Sequence, residues 1–282
     1  MRIVITGGTG MIAGYLSQRL AADHELVLMD RVPVPEGDRF GRERMIFMPG
    51  EITDEAACAR AFDGADAIVH LAGLKDPGPQ AFLVNGYGSY VVIEAARAAG
   101  VGRLVQASSI NVLGLGWHVS DDPIRAIRSV PWDDEHPLHP TDTYSLGKLA
   151  AEEVATGYAR AHGMRTASLR FSVVREPDWT ATWKDRVQPA RERPRWPWPW
   201  VDVRDAVQAI ERALRAAELP ADGGYFIGAD DTSALEPSRE LVERFFPEWL
   251  PWVRTLPGHT SFYDCARAKR VLGFQPVHRW RA

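Results

Sequence analysis

The chain has 282 residues, 45% of them hydrophobic and 25% charged, with a formal net charge of −4; this composition suits a full α/β core and excludes a disordered chain. Such a balance creates no overall field for nucleic acid or an anionic membrane surface, so neither is an expected partner. Only Cys58 and Cys265 occur, too few for a disulfide framework and too far apart for a CxxC motif, so a reducing cytoplasm is the expected compartment.

An apolar strand begins at once, over Arg2–Thr6, with no basic and apolar leader before it. No apolar run reaches the roughly 18 residues of a membrane span, and the chain reads as soluble and untargeted. Thr6-Gly7-Gly8-Thr9-Gly10-Met11-Ile12-Ala13-Gly14 follows, between this strand and a helical pattern. Gly7 allows a tight turn. Gly10, Met11 and Ile12 bring backbone amides and the helix amino end toward a pyrophosphate, and small Ala13 lets the helix pack closely on the strand. The next strand, Glu25–Asp30, ends 23 residues after Gly7 on an acid placed to accept the adenosine ribose hydroxyls and repel a 2′-phosphate. That favours NAD over NADP, although Arg31 follows directly.

Further strands are expected at Met45–Pro49, Ala67–Leu71, Arg103–Ala107 and Thr166–Phe171, with helical periodicity over Phe82–Ala99 and Thr143–His162. Beyond Phe171 the texture turns rich in Pro, Trp and Arg and ends in Trp196-Pro197-Trp198-Pro199-Trp200, which reads as loop structure over a pocket. A helix over Asp202–Ala217, a strand over Gly224–Gly228 and helices near Ser238–Phe246 and Asp264–Leu272 complete the pattern. The expected fold is α/β, a Rossmann-type doubly wound parallel sheet with a small C-terminal substrate-binding region. In residue terms, 1–172 form the dinucleotide-binding domain, 201–228 return to it, and 173–200 with 229–282 form the smaller region.

Tyr144 and Lys148 stand four residues apart in a helical segment and share one face. A nearby ammonium favours a phenolate and so fits Tyr144 for proton transfer near neutral pH. Ser108 and Ser109 follow the strand Arg103–Ala107, where a hydroxyl can orient a substrate oxygen; capping a turn is the structural alternative.

Together these segments resemble the extended short-chain dehydrogenases/reductases of the NAD-dependent epimerase/dehydratase family, over nearly the whole chain. TGGTGMIAG is similar to the family's TGGxGxxG. Glu51-Ile52 occupies the place of an acidic and an apolar residue beside adenine, and His70-Leu71-Ala72-Gly73 resembles HLAA along the cofactor. Asn85 stands at the family's helix asparagine, and Ser108–Gly114 resembles SSxxVYG. Leu169-Arg170, Trp200–Asp205 and Asp264–Phe274 match later landmarks. The sequence departs in Glu51 for Asp and Leu113 for Tyr. The resemblance implies NAD as cofactor, Tyr144 as acid/base, Ser109 as holder of the reacting oxygen, Lys148 as tuning charge and ribose ligand, and hydride transfer between substrate carbon and nicotinamide. It also suggests a homodimer, through two helices.

About 25 residues separate Val174 from Trp200, whereas nucleotide-sugar epimerases place a longer segment there. The shorter build resembles the uronate dehydrogenase branch, with Ile110-Asn111 in place of its Asn-His. The expected substrate is a small sugar, sugar acid or polyol, with Ser109, Ile110, Asn111 and Arg175 as candidate contacts. A nucleotide-sugar epimerase/dehydratase and a non-catalytic dinucleotide sensor are the alternatives. Five of the ten tryptophans lie between Trp179 and Trp200, suited either to sugar stacking or to a local aromatic cluster. The surplus of Lys184, Arg186, Arg191, Arg193 and Arg195 over Asp185 and Glu192 suits either an anion or a solvated face. His136 and His139 lack further spaced ligands, so no metal is expected. The stretch from Gly114 to Asp142, with Trp117 and Trp132, reads as a lid or as packing.

Overall fold

The computed structural model describes residues 1–34, 45–115, 127–221 and 223–281. Strands β1 (Arg2–Thr6), β2 (Glu25–Asp30), β3 (Met45–Pro49), β4 (Ala67–His70), β5 (Arg103–Ser109), β6 (Arg165–Phe171) and β9 (Gly224–Ile227) form one parallel sheet. A separate parallel pair joins β7 (Val174–Arg175) and β8 (Val201–Asp202). The seven-stranded order is β3-β2-β1-β4-β5-β6-β9, the doubly wound arrangement expected. Its direction reverses between β1 and β4, opening a crevice at the carboxyl ends of the strands. β4 is buried at every residue, as a strand covered on both faces must be, and its continuous apolar run Ala67-Ile68-Val69 follows from that.

Helices α1 (Met11–Leu20) and α7 (Val203–Arg215) pack together on one face; α2 (Glu55–Phe62), α4 (Ser89–Ala98) and α5 (Thr143–His162) cover the other. α5 spans the predicted residues because both ends are chemically marked. Asp142 caps the start, accepting from the Ser145 amide at 2.9 Å and its hydroxyl at 2.6 Å, and Gly163 ends it in the left-handed region at φ 67°. The helical pattern before α4 is not uniform. It runs through α3 (Pro79–Phe82) and a π turn over Leu83–Gly88 before α4 proper. Against this turn lies Gly147 of α5, where an added Cβ would stand 2.9 Å from Asn85 Cβ and 3.3 Å from the Gly86 nitrogen.

Two sequence expectations need correction. β5 runs on through Ser108 and Ser109, paired with Arg170 and Phe171, so both serines belong to the strand. The segment expected as loop contains α6 (Pro177–Arg186), which begins at Pro177 and carries the stacked pair Trp179 and Trp183, centroids 4.6 Å apart. Proline is well tolerated in a first helical turn, and Pro189, Pro194, Pro197 and Pro199 all lie beyond this helix. Of the two roles open to the stretch from Gly114 to Asp142, Trp132 takes packing: it is fully buried and meets Trp249, Tyr263 and Phe262 at 5.1, 5.1 and 6.4 Å. Trp117, with the rest of 116–126, lies outside the described residues.

The C-terminal part supplies α8 (Ser238–Phe245) and α9 (Ala266–Leu272), and its tail is tied down by Asp205, whose carboxylate accepts from the His278 amide at 3.0 Å and faces its Nδ1 at 2.8 Å. Among the described residues no helix is long and apolar enough to cross a membrane.

Gly147→Val forces α5 away from the π turn. The expected loss is about 1–3 kcal/mol, the usual cost of overpacking, read as a lower urea midpoint with an unchanged slope.

Candidate active site

A cavity of about 550 Å³ runs along the carboxyl ends of the strands. At one end lies the loop after β1. Gly7 adopts φ 67°, and a Cβ there would sit 2.6 Å from the Ala72 nitrogen, so this crossing of two backbones requires glycine. Gly10 precedes α1 without any side-chain cap, leaving the first amides of the helix turned to the cavity that Gly10, Met11 and Ile12 line. A backbone cradle of this kind, with no side chain filling it, fits a dinucleotide pyrophosphate.

Asp30 lies at the same end and has a second duty. Its Oδ2 accepts from the Thr9 amide at 3.1 Å and hydroxyl at 2.8 Å, and its Oδ1 from the amides of Arg31 and Val32 at 2.7 and 3.3 Å. The carboxylate therefore also ties the glycine loop to β2. Arg31 lies 3.9 Å from Glu51 with both side chains largely exposed, and Glu51, Ile52, Leu71, Ala72 and Gly73 continue the wall. Asn85 does not line the cavity. It holds the loop that does, accepting from the Leu74 amide and donating to its carbonyl, both at 2.9 Å.

Asn85 is in turn held from the sheet. Ser89 donates its hydroxyl proton to the Asn85 carbonyl at 2.6 Å, so it must accept from His70 Nε2 at 2.9 Å, which leaves His70 Nδ1 to accept from Thr6 at 2.6 Å. His70 is thus neutral with both nitrogens satisfied, and burial, then the Lys148 charge, push its pKa down to about 3.

At the other end Ser109, Ile110, Asn111, Tyr144 and Lys148 converge. Ser109 Oγ accepts from the Asn111 amide at 3.1 Å and hydrogen-bonds Tyr144. Burial pushes the Tyr144 pKa up, opposed by the Ser109 bond. The expected lowering by Lys148 is not what governs this phenol here. Lys148 Nζ donates to the Ala107 carbonyl at 2.8 Å, and burial brings its own pKa down to about 8, against the charge of Glu152.

Glu152, which the sequence reading passed over, lies four residues beyond Lys148 on the same helix face. It forms a buried pair with Arg170, Oε2 to Nη2 at 2.8 Å and Oε1 to Nε at 3.1 Å, and accepts from Ser108. The signal was present: a carboxylate extending the Tyr144–Lys148 spacing on a face that must meet the sheet.

The tryptophans divide. Trp179, Trp183 and Trp200 cluster with Trp280, and Trp198 packs on Phe245 and Phe246. Trp196 lines the cavity and donates its indole N–H to Asn111 Oδ1 at 2.8 Å. Nothing in the sequence distinguishes it from its neighbours. Arg175 is not brought into the cavity; its guanidinium lies over Trp179 at 5.0 Å, one residue from cavity-lining Val174. The basic residues of 184–195 do not line it either, and Arg193 pairs with Glu248 at 2.7 Å. His136 Nε2 accepts from the Arg128 amide at 3.2 Å, which occupies that nitrogen.

The sequence profile of the NAD dependent epimerase/dehydratase family matches residues 3–191. An L-arabinose 1-dehydrogenase (NAD(P)(+)) of Haloferax volcanii is 29% identical over 224 residues, covering 77% of this chain and 83% of its own. A uronate dehydrogenase of Pseudomonas putida is 28% identical over 220 residues, covering 76% and 71%. The solved structure of a short-chain dehydrogenase/reductase superfamily protein from Agrobacterium tumefaciens, with bound NAD, superposes with a TM-score of 0.72 at 23% identity, over 99% of this chain and 94% of that one.

The Lys148 shift carries a signed consequence. Between pH 8 and 10.5 the unfolded chain holds a proton that the folded, buried lysine has released, so the contribution of this group to stability rises with pH across that window. The cofactor-free protein is expected to gain stability relative to Lys148→Met from pH 8 to 10.5, measured by urea unfolding. A difference flat in pH refutes the desolvated lysine.

Proposed function

Because this chain belongs to the NAD-dependent epimerase/dehydratase family, we propose that it is an NAD-dependent dehydrogenase of a small free sugar, sugar acid or polyol. The single observation that carries this reading is the meeting of Ser109, Tyr144 and Lys148 at one end of the cavity whose other end is the glycine cradle.

NAD is the cofactor; the amides after Gly10, Asp30 at the adenosine ribose and the 71–73 wall would hold it, and when bound it would supply the acceptor for the hydride that leaves the substrate carbon. The residues handle the proton and the alignment. Ser109 orients the substrate oxygen, and Tyr144, hydrogen-bonded to Ser109, takes the hydroxyl proton on oxidation and returns it on reduction. Lys148, anchored on the Ala107 carbonyl, holds the nicotinamide ribose and lends its positive charge to the phenolate as it forms. The segment 173–200, through Val173, Val174 and Trp196, closes the substrate end, and 229–282 braces it through Phe245 and Phe246 beneath Trp198. The arabinose and uronate dehydrogenases among the relatives support a free sugar, and the UDP-glucose 4-epimerase and dTDP-glucose 4,6-dehydratase beside them support the alternative of a nucleotide sugar.

A homodimer belongs to the same reading. Phe82, Leu83, Tyr87, Tyr90 and Leu146 are exposed on the paired helical segments α3–α4 and α5, an apolar surface suited to a second copy. Light scattering is expected to give twice the chain mass, and a monomeric mass at micromolar concentration refutes the dimer.

Purified protein given NAD and a panel of free aldoses including L-arabinose, uronic acids, polyols and nucleotide sugars is expected to produce NADH absorbance with a free sugar or its acid. Tyr144→Phe is expected to bind NAD normally and lose about 10²–10⁴-fold in kcat. Isomer formation from a nucleotide sugar without net reduction moves the assignment to an epimerase. Wild-type turnover in Tyr144→Phe removes the acid/base role.

A further inference from the structure

The bond between Trp196 and Asn111 has chemical content beyond tethering a loop. An indole N–H can only donate, so the end of the Asn111 amide that meets it at 2.8 Å is the oxygen, and the other end is NH₂. Free of this bond, the amide can turn and present either end. Asn111 is 6% exposed, lines the cavity and stands two residues from Ser109, whose Oγ accepts its backbone N–H.

Trp196 is itself held from below. Trp198 adopts φ 50°, a left-handed conformation costly for any residue but glycine. It is kept there by its amide donating to the Trp196 carbonyl at 2.7 Å, by its carbonyl accepting from the Ser233 amide at 3.0 Å, and by its ring packing on Phe245 and Phe246 at 5.7 and 6.2 Å. Strain of this kind persists only where the surroundings overdetermine it, and here it sets the position of the one tryptophan of the segment 179–200 that reaches the cavity, among the described residues.

We propose that Trp196 and Asn111 form the specificity-determining pair of the site, an inference that rests on the sugar-dehydrogenase reading above. The indole fixes the amide so that its NH₂ is offered to an acceptor oxygen of the substrate next to the reacting carbon, and the indole face forms the wall against the C–H surface of the ring. The substrate class this selects is an unactivated monosaccharide or its acid, with a hydroxyl, ring or carboxylate oxygen placed to accept from Asn111.

Two variants separate the parts of this device. Trp196→Phe keeps an aromatic wall and removes the N–H. Asn111→Asp keeps an acceptor for the indole and removes the donor to the substrate. With the NAD-loaded enzyme and the aldose or uronate that the wild type oxidises best, each is expected to raise KM about tenfold with kcat nearly unchanged, as for the loss of one binding hydrogen bond. NAD affinity, read by fluorescence, is expected to stay at the wild-type value in both and so to show an intact fold. Wild-type KM in both variants overturns the pair while leaving the dehydrogenase reading in place. A wild type that neither oxidises any free sugar of the panel nor binds one by calorimetry overturns the dehydrogenase reading, and this inference falls with it.

Discussion

The buried ion pair between Glu152 and Arg170 is the contact on which the geometry of this molecule depends. Both side chains are under 5% exposed, and each charge in such a place is tolerable only because the other is there; removing one partner of a buried pair typically costs about 3–5 kcal/mol. The pair joins α5 to β6, and Ser108 on β5 donates to the same carboxylate. It therefore places the helix carrying Tyr144 and Lys148 against the strand carrying Ser109. Room for the guanidinium is made on β9, where a Cβ on Gly224 would lie 2.3 Å from Arg170 Nε. Asp134 closes the far side: its backbone carbonyl accepts from Arg170 at 3.4 Å and its carboxylate accepts from the Phe226 amide at 2.7 Å. Burial pushes the pKa of that carboxyl up to about 6.

The two ends of the cavity rest on different physics. The glycine end binds with backbone: its side chains are absent where Gly7 crosses Ala72 and where Gly10 precedes α1, and Asp30 and Thr9 hold the loop in shape. The Tyr144 end works with buried side chains, and burial is what moves their proton affinities, upward for Tyr144 and downward for Lys148. The chain of Thr6, His70, Ser89 and Asn85 connects the sheet to the 71–74 wall between the two ends. It keeps a histidine at the centre of the molecule neutral and fully bonded rather than catalytic.

Beyond the ends of β5 and β6, which bring Ser109 and Phe171 to the cavity, the substrate end is closed by chain from outside the main sheet. α6, the short β7–β8 pair and the proline-rich turn before Trp200 meet there, and aromatic packing carries the stability: Trp179 on Trp183, Trp198 on Phe245 and Phe246, Trp132 on Trp249. Most of the tryptophans serve this packing, which decides between the two roles the sequence left open for them. Trp196 is the exception, and what sets it apart is its place over the cavity.

Periodicity and local chemistry in the sequence determined the alternation of strand and helix, the ends of α5 at Asp142 and Gly163, the glycine cradle, and the pairing of Tyr144 with Lys148 one helical turn apart. These are properties of neighbours along the chain, so they are written in short windows of residues. Only the tertiary structure decided that Asn85 holds the wall instead of facing the cavity, that Arg175 lies on Trp179, that burial rather than the Lys148 charge governs Tyr144, and that Glu152 is paired. Each depends on groups distant in sequence, 18 residues for Glu152 and Arg170 and 85 for Asn111 and Trp196. Burial and the orientation of an amide exist only once those segments have packed.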